Sequence, residues 1–404
     1  MREFFSIMNI REVLPELQAT IAPEGAALTA VAREIWENPE IAFTEKRASK
    51  LLTDKLKEYG FKVECPYAGM ETAFRAEFTN KTGGATFALA AEYDALVGIG
   101  HACGHNTAGV ASVAAALAAK AYMLKHDIAG TIVVLGTPGE EGGGGKVLML
   151  KNADCLKNID AVMMAHAIGG KSKRDGGCTG IRRFDVYFHG RASHAAGSPE
   201  KGLNALDAQI LLYNAIGLYR QQMNRDALIH GVILEGGEAA NIIPDHTHSR
   251  FYIRSCKEEL IDEVYDRFSK MIEGAALMTG TTFEIKNYSI PYKGRKPNSK
   301  LNDLFLEGAK AIDMNTTDAY PHGRGSSDFG DFSHAAPGAH PYFSICEPGL
   351  PEAPGHSELM KKYANSEYGY KNMLKAGAVL ALCALTVLDD PEFRAAVRAE
   401  FEGR

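Results

Sequence analysis

Three continuous apolar runs stand out in the first half of the chain, at positions 85–91, 131–135 and 161–165. Runs of this length without polar alternation are typical of strands that are covered on both faces. An alanine-rich helical stretch at 107–125 separates the first two runs, and another helical stretch precedes the third. The order strand, helix, strand, helix, strand predicts a mainly parallel sheet in an α/β domain, preceded by helices over 13–58.

The pattern changes near residue 181, where Phe184, Val186 and Phe188 alternate with more polar neighbours. This period of two predicts a strand in a sheet with one solvent-facing surface. A helix, two strands, a second helix and a last strand near 283–288 follow, and the order β-α-β-β-α-β is typical of a ferredoxin-like unit. After Pro291 the pattern of long helices and buried strands returns. We therefore predict a discontinuous α/β domain, residues 1–180 and 296–404, with an inserted α+β domain at 181–295.

Composition and charge exclude several classes of protein. The 404 residues are 46% hydrophobic and 23% charged, which describes a globular chain and not a disordered or fibrous one. The net charge of −6 is small, and acidic and basic residues are present in similar numbers, so a nucleic-acid partner is not expected. Seven scattered cysteines favour a reducing compartment. No apolar run approaches the ~20 residues that span a bilayer, so we expect a cytoplasmic protein without a membrane segment.

Metal-ligand chemistry follows each of the three apolar runs. The residues concerned are Asp94, Cys103 and His105 after the first run, Glu140 and Glu141 after the second, and His166 after the third. Parallel strands deliver their carboxyl ends to one edge of a sheet. A thiolate and imidazoles suit zinc or a similar ion, while adjacent carboxylates can divide metal binding from proton exchange. Each residue alone has a structural explanation, but their joint placement indicates metal-assisted hydrolysis.

Other polar segments are less informative by themselves. The run Gly142 to Lys146 (GGGGK) mimics a phosphate loop, but Glu140 stands where its first glycine should be and Val147 replaces Ser or Thr. Nucleotide binding is therefore disfavoured. In the insert, His194, Asn241 and Arg254 could donate to an oxyanion or hold a carboxylate, or could belong to a hydrogen-bonded turn and a solvated strand face.

The chain resembles the M20 metallopeptidase family, in its amidohydrolase branch of aminobenzoyl-glutamate hydrolase and N-acyl-amino-acid hydrolase types. Seven ordered motifs carry this resemblance over nearly the whole chain: WENPE at 36–40, DAL at 94–96, HACGHN at 101–106, GTPGEE at 136–141, ASH at 192–194, NIIP at 241–244 and SDF at 327–329. The fold it implies is a zinc-peptidase-like catalytic domain with an inserted lid or dimerisation domain.

The resemblance also implies a two-metal site. Cys103 would bridge two divalent ions, Zn²⁺ or Mn²⁺ with Co²⁺ also compatible. The remaining implied ligands are His105 and His166 for one ion, and Glu141 and His356 for the other. Glu140 would be the general base that activates a metal-bound water and later protonates the leaving amine, and Asp94 would orient a ligand histidine. His356 lies in a turn-rich loop and is identified only through this resemblance.

For the insert, the resemblance implies a homodimer in which His194 reaches the partner's active site and stabilises the tetrahedral oxyanion. Asn241 and Arg254 would contact the substrate or the interface. Two positions depart from relatives: Asn106 stands where the auxin-conjugate hydrolases usually have Asp, and Ser327 replaces a common Glu. The first departure points to the aminobenzoyl-glutamate-like or dipeptidase-like branch.

The expected function is a binuclear metal-dependent amidohydrolase. Its substrate would be an N-acyl or N-aroyl amino acid, such as an aminobenzoyl-glutamate, or a dipeptide with a free carboxylate. The alternative is a non-catalytic homologue that holds a carboxylate ligand. A metal-storage or redox role for Cys103 is a third hypothesis.

Overall fold

The computed structural model describes residues 9–319, 323 and 325–403. The chain forms two compact units. One comprises the described residues of Met1–Gly177, Lys296–Gly323 and Asp328–Arg404, and the other comprises those of Cys178–Arg295 and Arg324–Ser327. The smaller unit is thus inserted into the larger one, and residues 325–327, which follow the expected end of the insert, also belong to it.

The elements alternate between helices and strands in both units. In chain order the larger unit begins with α1 Ile10–Ile21, α2 Gly25–Glu37, α3 Lys46–Glu58, β1 Lys62–Glu64, β2 Phe74–Asn80, β3 Thr86–Ala91, α4 His105–Lys125, β4 Gly130–Gly136, α5 Gly145–Ala153, β5 Ala161–Met163 and β6 His166–Ile168. The smaller unit contains β7 Gly180–His189, α6 Ala205–Tyr219, β8 Ala227–Glu235, β9 His246–Ser255, α7 Glu258–Thr279 and β10 Thr282–Asn287. The larger unit continues with α8 Ser299–Ala311, α9 Phe329–Ala335, β11 Gly338–Ala339, β12 Tyr342–Ser344, α10 Glu358–Tyr363, α11 Glu367–Asp389 and α12 Pro391–Glu402.

A six-stranded sheet in the order β1-β2-β4-β3-β5-β11 forms the centre of the larger unit. The four strands β4, β3, β5 and β11 are parallel, and β1 and β2 extend the sheet in antiparallel fashion. Strands β6 and β12 form a separate parallel pair. The prediction of an α/β fold with a mainly parallel sheet is confirmed. Strands β1, β2, β6, β11 and β12 were not predicted.

Helices α4 and α11 form the centre of the helical core, and most of their residues are buried. Both are long and apolar enough to cross a membrane, but 78% and 83% of their apolar windows are buried inside the protein, as in the core helices of soluble folds. They pack closely because Gly377 of α11 faces α4: a Cβ there would lie 2.8 Å from Cβ of Ala114.

The smaller unit has an antiparallel sheet in the order β10-β7-β9-β8. This order and the sequence β-α-β-β-α-β define a ferredoxin-like arrangement, as predicted. Phe184, Val186 and Phe188 of β7 pack with Leu212 of α6 and Phe268 of α7 in one core, so both helices cover the same face of the sheet.

Candidate active site

The ends of β3 and β4 bring the first site residues together. The two parallel strands are in register, with Ala91 opposite Gly136. Glu92 and Asp94 therefore emerge beside the loop that carries Glu140 and Glu141, as expected for one sheet edge. The position of His166 differs slightly from the expected one directly after the third strand. Strand β5 ends at Met163, and His166 is the first residue of β6.

Gly104 makes the close turn between Cys103 and His105 possible. Its φ is 82°, in the left-handed region, and a Cβ there would lie 2.6 Å from Cβ of Ala167. A side chain at this position would be strained and would clash. The glycine thus lets the thiol of Cys103 and the imidazole of His105, which begins α4, face the same space.

The rings of His105 and His166 both direct Nε2 towards this space. Nδ1 of His105 lies 3.0 Å from Oδ1 of Asp94, and Nδ1 of His166 lies 2.7 Å from the carbonyl oxygen of Ala167. These contacts place the proton on Nδ1, so Nε2 of each ring is available as a ligand. Nε2 of His166 lies 3.4 Å from Sγ of Cys103.

Asp94 connects two of the candidate ligands. Its second oxygen, Oδ2, accepts a hydrogen bond from the backbone N–H of Glu141 at 2.9 Å. Burial raises the pKa of Asp94, but the His105 ring, the N–H of Glu141 and the Lys146 ammonium together outweigh burial and hold the pKa below its ordinary value. An ionised Asp94 therefore orients His105 and fixes the backbone of the Glu141 loop at once.

His356 approaches from a loop with an unusual backbone. Its φ is 61°, and its N–H donates to the carbonyl oxygen of Ala102 at 3.0 Å. Nε2 of His356 lies 3.5 Å from Oε1 of Glu141, whose carboxylate raises the pKa of the histidine. Such backbone strain in a non-glycine residue is often found at functional sites.

Five side chains can hold two ions that share a ligand. Ligand atoms lie within 4.8 Å of one another in the group Cys103, His105 and His166, and also in the group Cys103, Glu141 and His356. Thiolate, imidazole and carboxylate donors suit zinc, manganese or cobalt. Nε2 of His105 and Oε1 of Glu141 are buried and make no hydrogen bond with the residues that the structure describes, as expected of atoms that bind a cation. The residues present therefore fit a two-metal centre.

Glu140 lies beside this group in a buried position, with 9% of its surface exposed. Burial, followed by the negative charges of Glu141, Glu92 and Asp328, raises its pKa well above the ordinary value for a carboxyl group. Divalent cations would oppose this shift. A buried carboxyl group with a raised pKa can accept and return a proton near neutral pH.

A buried charge network next to Glu140 was not predicted from the sequence. Nζ of Lys146 lies 2.7 Å from Oε1 of Glu92 and 2.6 Å from Oδ1 of Asp328, and all three side chains have no solvent exposure. The sequence holds only weak indications of this network. Glu92 lies two residues before Asp94, and Lys146 is the last residue of the GGGGK run, which does not match a phosphate loop. Asp328 belongs to a family motif but received no role.

Glu45 was also missed. Its Oε1 accepts a hydrogen bond from the N–H of Gly139 at 2.9 Å, and its Oε2 accepts one from the hydroxyl of Thr72 at 2.9 Å. It therefore anchors the loop that carries Glu140. Burial raises the pKa of Glu45 to about 7.

Asn106, treated as a marker of one branch, has a structural task. Its Nδ2 donates to the carbonyl oxygens of Ala32 and Ala364, at 3.2 and 2.9 Å. An aspartate could not donate these hydrogen bonds. The residue ties the start of α4 to α2 and to the segment before α11.

The other predicted residues lie in the smaller unit. Nδ1 of His194 accepts from the N–H groups of Ala196 and Gly197, at 3.2 and 3.0 Å, so its proton resides on Nε2. The carbonyl oxygen of Asn241 accepts from Ala195 N–H at 2.9 Å, which joins the two loops. Arg254, near the end of β9, makes a different contact and donates to the hydroxyl of Ser326 at 2.9 Å.

A Cys, His and Glu cluster at the strand ends of a mainly parallel α/β unit, together with a ferredoxin-like insert, defines a class of metallohydrolase. The chain belongs to peptidase family M20/M25/M40, whose family model matches residues 85–385. As a member of this family it is a hydrolase that acts on amide bonds.

Two curated relatives and one solved structure illustrate the similarity. The chain is 36% identical to a Xaa-Arg dipeptidase of Mus musculus, over 93% of this chain and 89% of the relative. It is 31% identical to one of the subunits of p-aminobenzoyl-glutamate hydrolase of Escherichia coli (strain K12), over 69% of this chain and 61% of the relative. A dinuclear metal-binding M20 peptidase from Bacillus subtilis shares the fold, with a TM-score of 0.65 at 20% identity over 89% of this chain and 98% of that one.

Proposed function

We propose that the chain is a two-metal amidohydrolase in which Cys103 is shared by both ions. The observation that carries this proposal is the pair of ligand groups that meet at Cys103, each with its donor atoms within 4.8 Å. His105 and His166 would hold one ion, and Glu141 and His356 the other. We propose Zn²⁺ or Mn²⁺ as the native ions, with Co²⁺ as a functional substitute. When bound, such ions act as Lewis acids and lower the pKa of water towards about 7.

Glu140 would carry the proton during the reaction. Its buried carboxyl group lies beside the ligands His105 and Glu141, a position that suits a group that takes a proton from the attacking water and delivers it to the leaving amine nitrogen. Asp94 would hold His105 in its ligand tautomer. His194 would donate from Nε2–H to the developing oxyanion, because its Nδ1 already accepts two backbone hydrogen bonds.

The substrate is proposed as a dipeptide or an N-acyl or N-aroyl amino acid with a free carboxylate. Among these, dipeptides that end in arginine are the leading class, because the Xaa-Arg dipeptidase matches almost the whole chain. An aminobenzoyl-glutamate is the next class to test, because the Escherichia coli hydrolase matches a shorter part. Asn241 and Arg254 are the proposed contacts to the substrate or to a partner subunit.

We also propose a homodimer formed through the insert. Strand β8 lies at the edge of its sheet, and Val232, Ile233 and Leu234 in it are 53%, 39% and 47% exposed. Consecutive exposed apolar residues on an edge strand favour pairing with another strand. A cytoplasmic location is proposed from the odd and scattered cysteines.

A hydrolysis screen of the metal-reconstituted enzyme tests the proposal. Xaa-Arg dipeptides, N-acetyl and N-benzoyl amino acids and p-aminobenzoyl-glutamate would be compared by release of the free amine. Turnover that chelation abolishes and Zn²⁺ or Mn²⁺ restores supports the proposal. A ligand-induced rise in Tm without hydrolysis would instead support the non-catalytic alternative. If chelation exposed the Cys103 thiol but no substrate were cleaved, a metal-storage role would be favoured.

A further inference from the structure

Glu92 is a buried carboxylate beside the proposed metal centre that has no role in the function described above. It follows β3 directly, and its Oε1 accepts a hydrogen bond from Nζ of Lys146 at 2.7 Å. This ion pair with the Lys146 ammonium fits a Glu92 carboxylate, which can only accept hydrogen bonds or coordinate a cation.

Lys146 fixes the orientation of this carboxylate. Its Nζ also contacts Oδ1 of Asp328 at 2.6 Å, and its backbone N–H donates to Oδ2 of Asp328 at 3.0 Å. All three side chains are fully buried. Rotation of Glu92 away from Lys146 would leave charges unpaired in the interior, which is strongly unfavourable. Oε1 is thus kept on the side of Lys146, and Oε2 is kept on the side of His105.

Oε2 of Glu92 faces Nε2 of His105 at 3.3 Å. The two atoms do not have the alignment of a hydrogen bond, and neither makes one with any residue in the described part of the chain. Two ligand atoms that are each about 2.0–2.2 Å from one ion lie about 2.8–3.6 Å apart at angles of about 90–110°. The observed separation falls within this range, and His105 Nδ1 is already occupied by Asp94.

We propose that Oε2 of Glu92 is a further ligand of the divalent ion that His105 binds, and that Lys146 is the positioning residue that holds it there. This inference rests on the two-metal centre of the proposed function. A different arrangement, an ion pair between Glu92 and a protonated His105, predicts the opposite effect. Such a pair would compete with the metal, so that removal of the Glu92 charge would tighten metal binding.

The metal affinity of the Glu92→Gln variant distinguishes a metal-binding Glu92 from a Glu92 that forms an ion pair with His105. The wild-type chain and the variant would be dialysed against Zn²⁺, and chelator competition would give the affinity of each ion. The wild type should bind about two ions per chain, and the variant should hold one of them about tenfold or more weakly. Glu92→Asp, which keeps the charge but retracts the oxygen, should lie between them.

The matched control is Asp175→Asn, which removes another buried carboxylate of the larger unit. Oδ1 of Asp175 accepts a hydrogen bond from the N–H of Gly177 at 2.9 Å, and the residue belongs to neither ligand group. Both metal affinities should therefore stay unchanged in this variant. The control separates the loss of a ligand from the general cost of neutralising a buried charge.

The absorption spectrum of the cobalt-loaded protein is a second measurement, and it would stay unchanged if Glu92 had a purely structural role. The visible d–d bands of the Co²⁺-loaded protein report the ligand set, so they should change in Glu92→Gln and stay constant in Asp175→Asn. Lys146→Met should reproduce the loss of affinity, and the double variant should be no weaker than either single variant. If Lys146→Met does not fold, the two Glu92 variants still decide the question.

The outcomes distinguish the two proposals. A wild-type chain that binds no divalent ion would overturn the two-metal centre itself. A wild type that binds two ions, with an equal or tighter affinity and an unchanged cobalt spectrum in Glu92→Gln, would overturn only the assignment of Glu92.

Discussion

Asp94 and His105 form a buried carboxylate–imidazole pair, with Oδ1 of Asp94 3.0 Å from Nδ1 of His105. The pair sets the tautomer of the histidine and leaves its Nε2 without a hydrogen bond to the described residues. Because the same carboxylate also accepts from Glu141 N–H, one side chain organises ligands on two different segments.

Replacing Asp94 with asparagine should weaken metal binding by about 10–100-fold. The amide would lose the charge that holds His105, and its Nδ2 would face the Glu141 N–H donor. Zinc affinity measured by chelator competition checks this. Asp160→Asn is the matched control, because its carboxylate accepts from Thr86 N–H at 2.8 Å at the opposite end of β3. Equal affinities in the two variants would contradict the proposed role.

Glu140→Gln should retain both metals while kcat falls by about 10²–10⁴-fold. The amide keeps the shape of the side chain but cannot take a proton from water. Metal analysis and steady-state kinetics on the best substrate of the screen check this. Glu141→Gln should instead lose metal. Turnover near the wild-type level in Glu140→Gln would remove Glu140 from the proposed mechanism.

The raised pKa of Glu45 predicts that the metal-free protein loses stability as the pH rises. Its pKa rises from 4.5 to about 7 on folding, so the folded state holds a proton that the unfolded state releases. This contribution is complete below about pH 4.5 and is lost as pH rises to about 7, on the order of 3 kcal/mol in total. Urea unfolding with chelator at pH 5 and pH 8 measures it. Glu45→Gln should reduce the difference in unfolding free energy between the two pH values, and an unchanged difference would contradict the assignment.

His194→Ala should lower kcat by about 10²–10³-fold if its Nε2–H stabilises the oxyanion. Mixing this variant with Glu140→Gln tests whether the histidine acts across a dimer. A mixed dimer would contain one complete site, so random assortment should restore about a quarter of the wild-type activity. No recovery after subunit exchange, shown by a tagged subunit, would place His194 in its own chain's site or outside the mechanism.

Val232→Lys should shift the protein from dimer to monomer. A charge on the exposed edge strand β8 opposes strand pairing. Light scattering after size-exclusion chromatography measures the mass. Leu124→Lys, at a 56% exposed position on α4, serves as the control and should not change the mass. Monomeric wild-type protein would exclude the proposed homodimer directly.

Much of the fold could be predicted because continuous apolar runs identify buried strands. The predicted ends of strands β3 and β4 agree with the structure to within one residue. The short strands β1, β6 and β12, with three residues each, are too brief to show a period. Their pairing depends on partners elsewhere in the chain, which no local pattern contains.

The candidate site could be predicted only where chemistry follows a recognisable strand. Asp94 and Glu140 satisfy that condition. Lys146 does not, because its contact with Asp328 joins positions 182 residues apart. His356 was found through family resemblance alone, since its loop has a strained backbone and no periodicity.

The tight contact between Gly377 and Ala114 has a consequence for genetics. Helix α4 begins at His105, so any substitution that pushes α4 along or away from α11 also displaces a metal-binding imidazole. Gly377→Ala would place its methyl group 2.8 Å from Cβ of Ala114. Loss-of-function alleles should therefore arise deep in the helical interior, and cells that carry them should be partly rescued by supplying more metal in the growth medium.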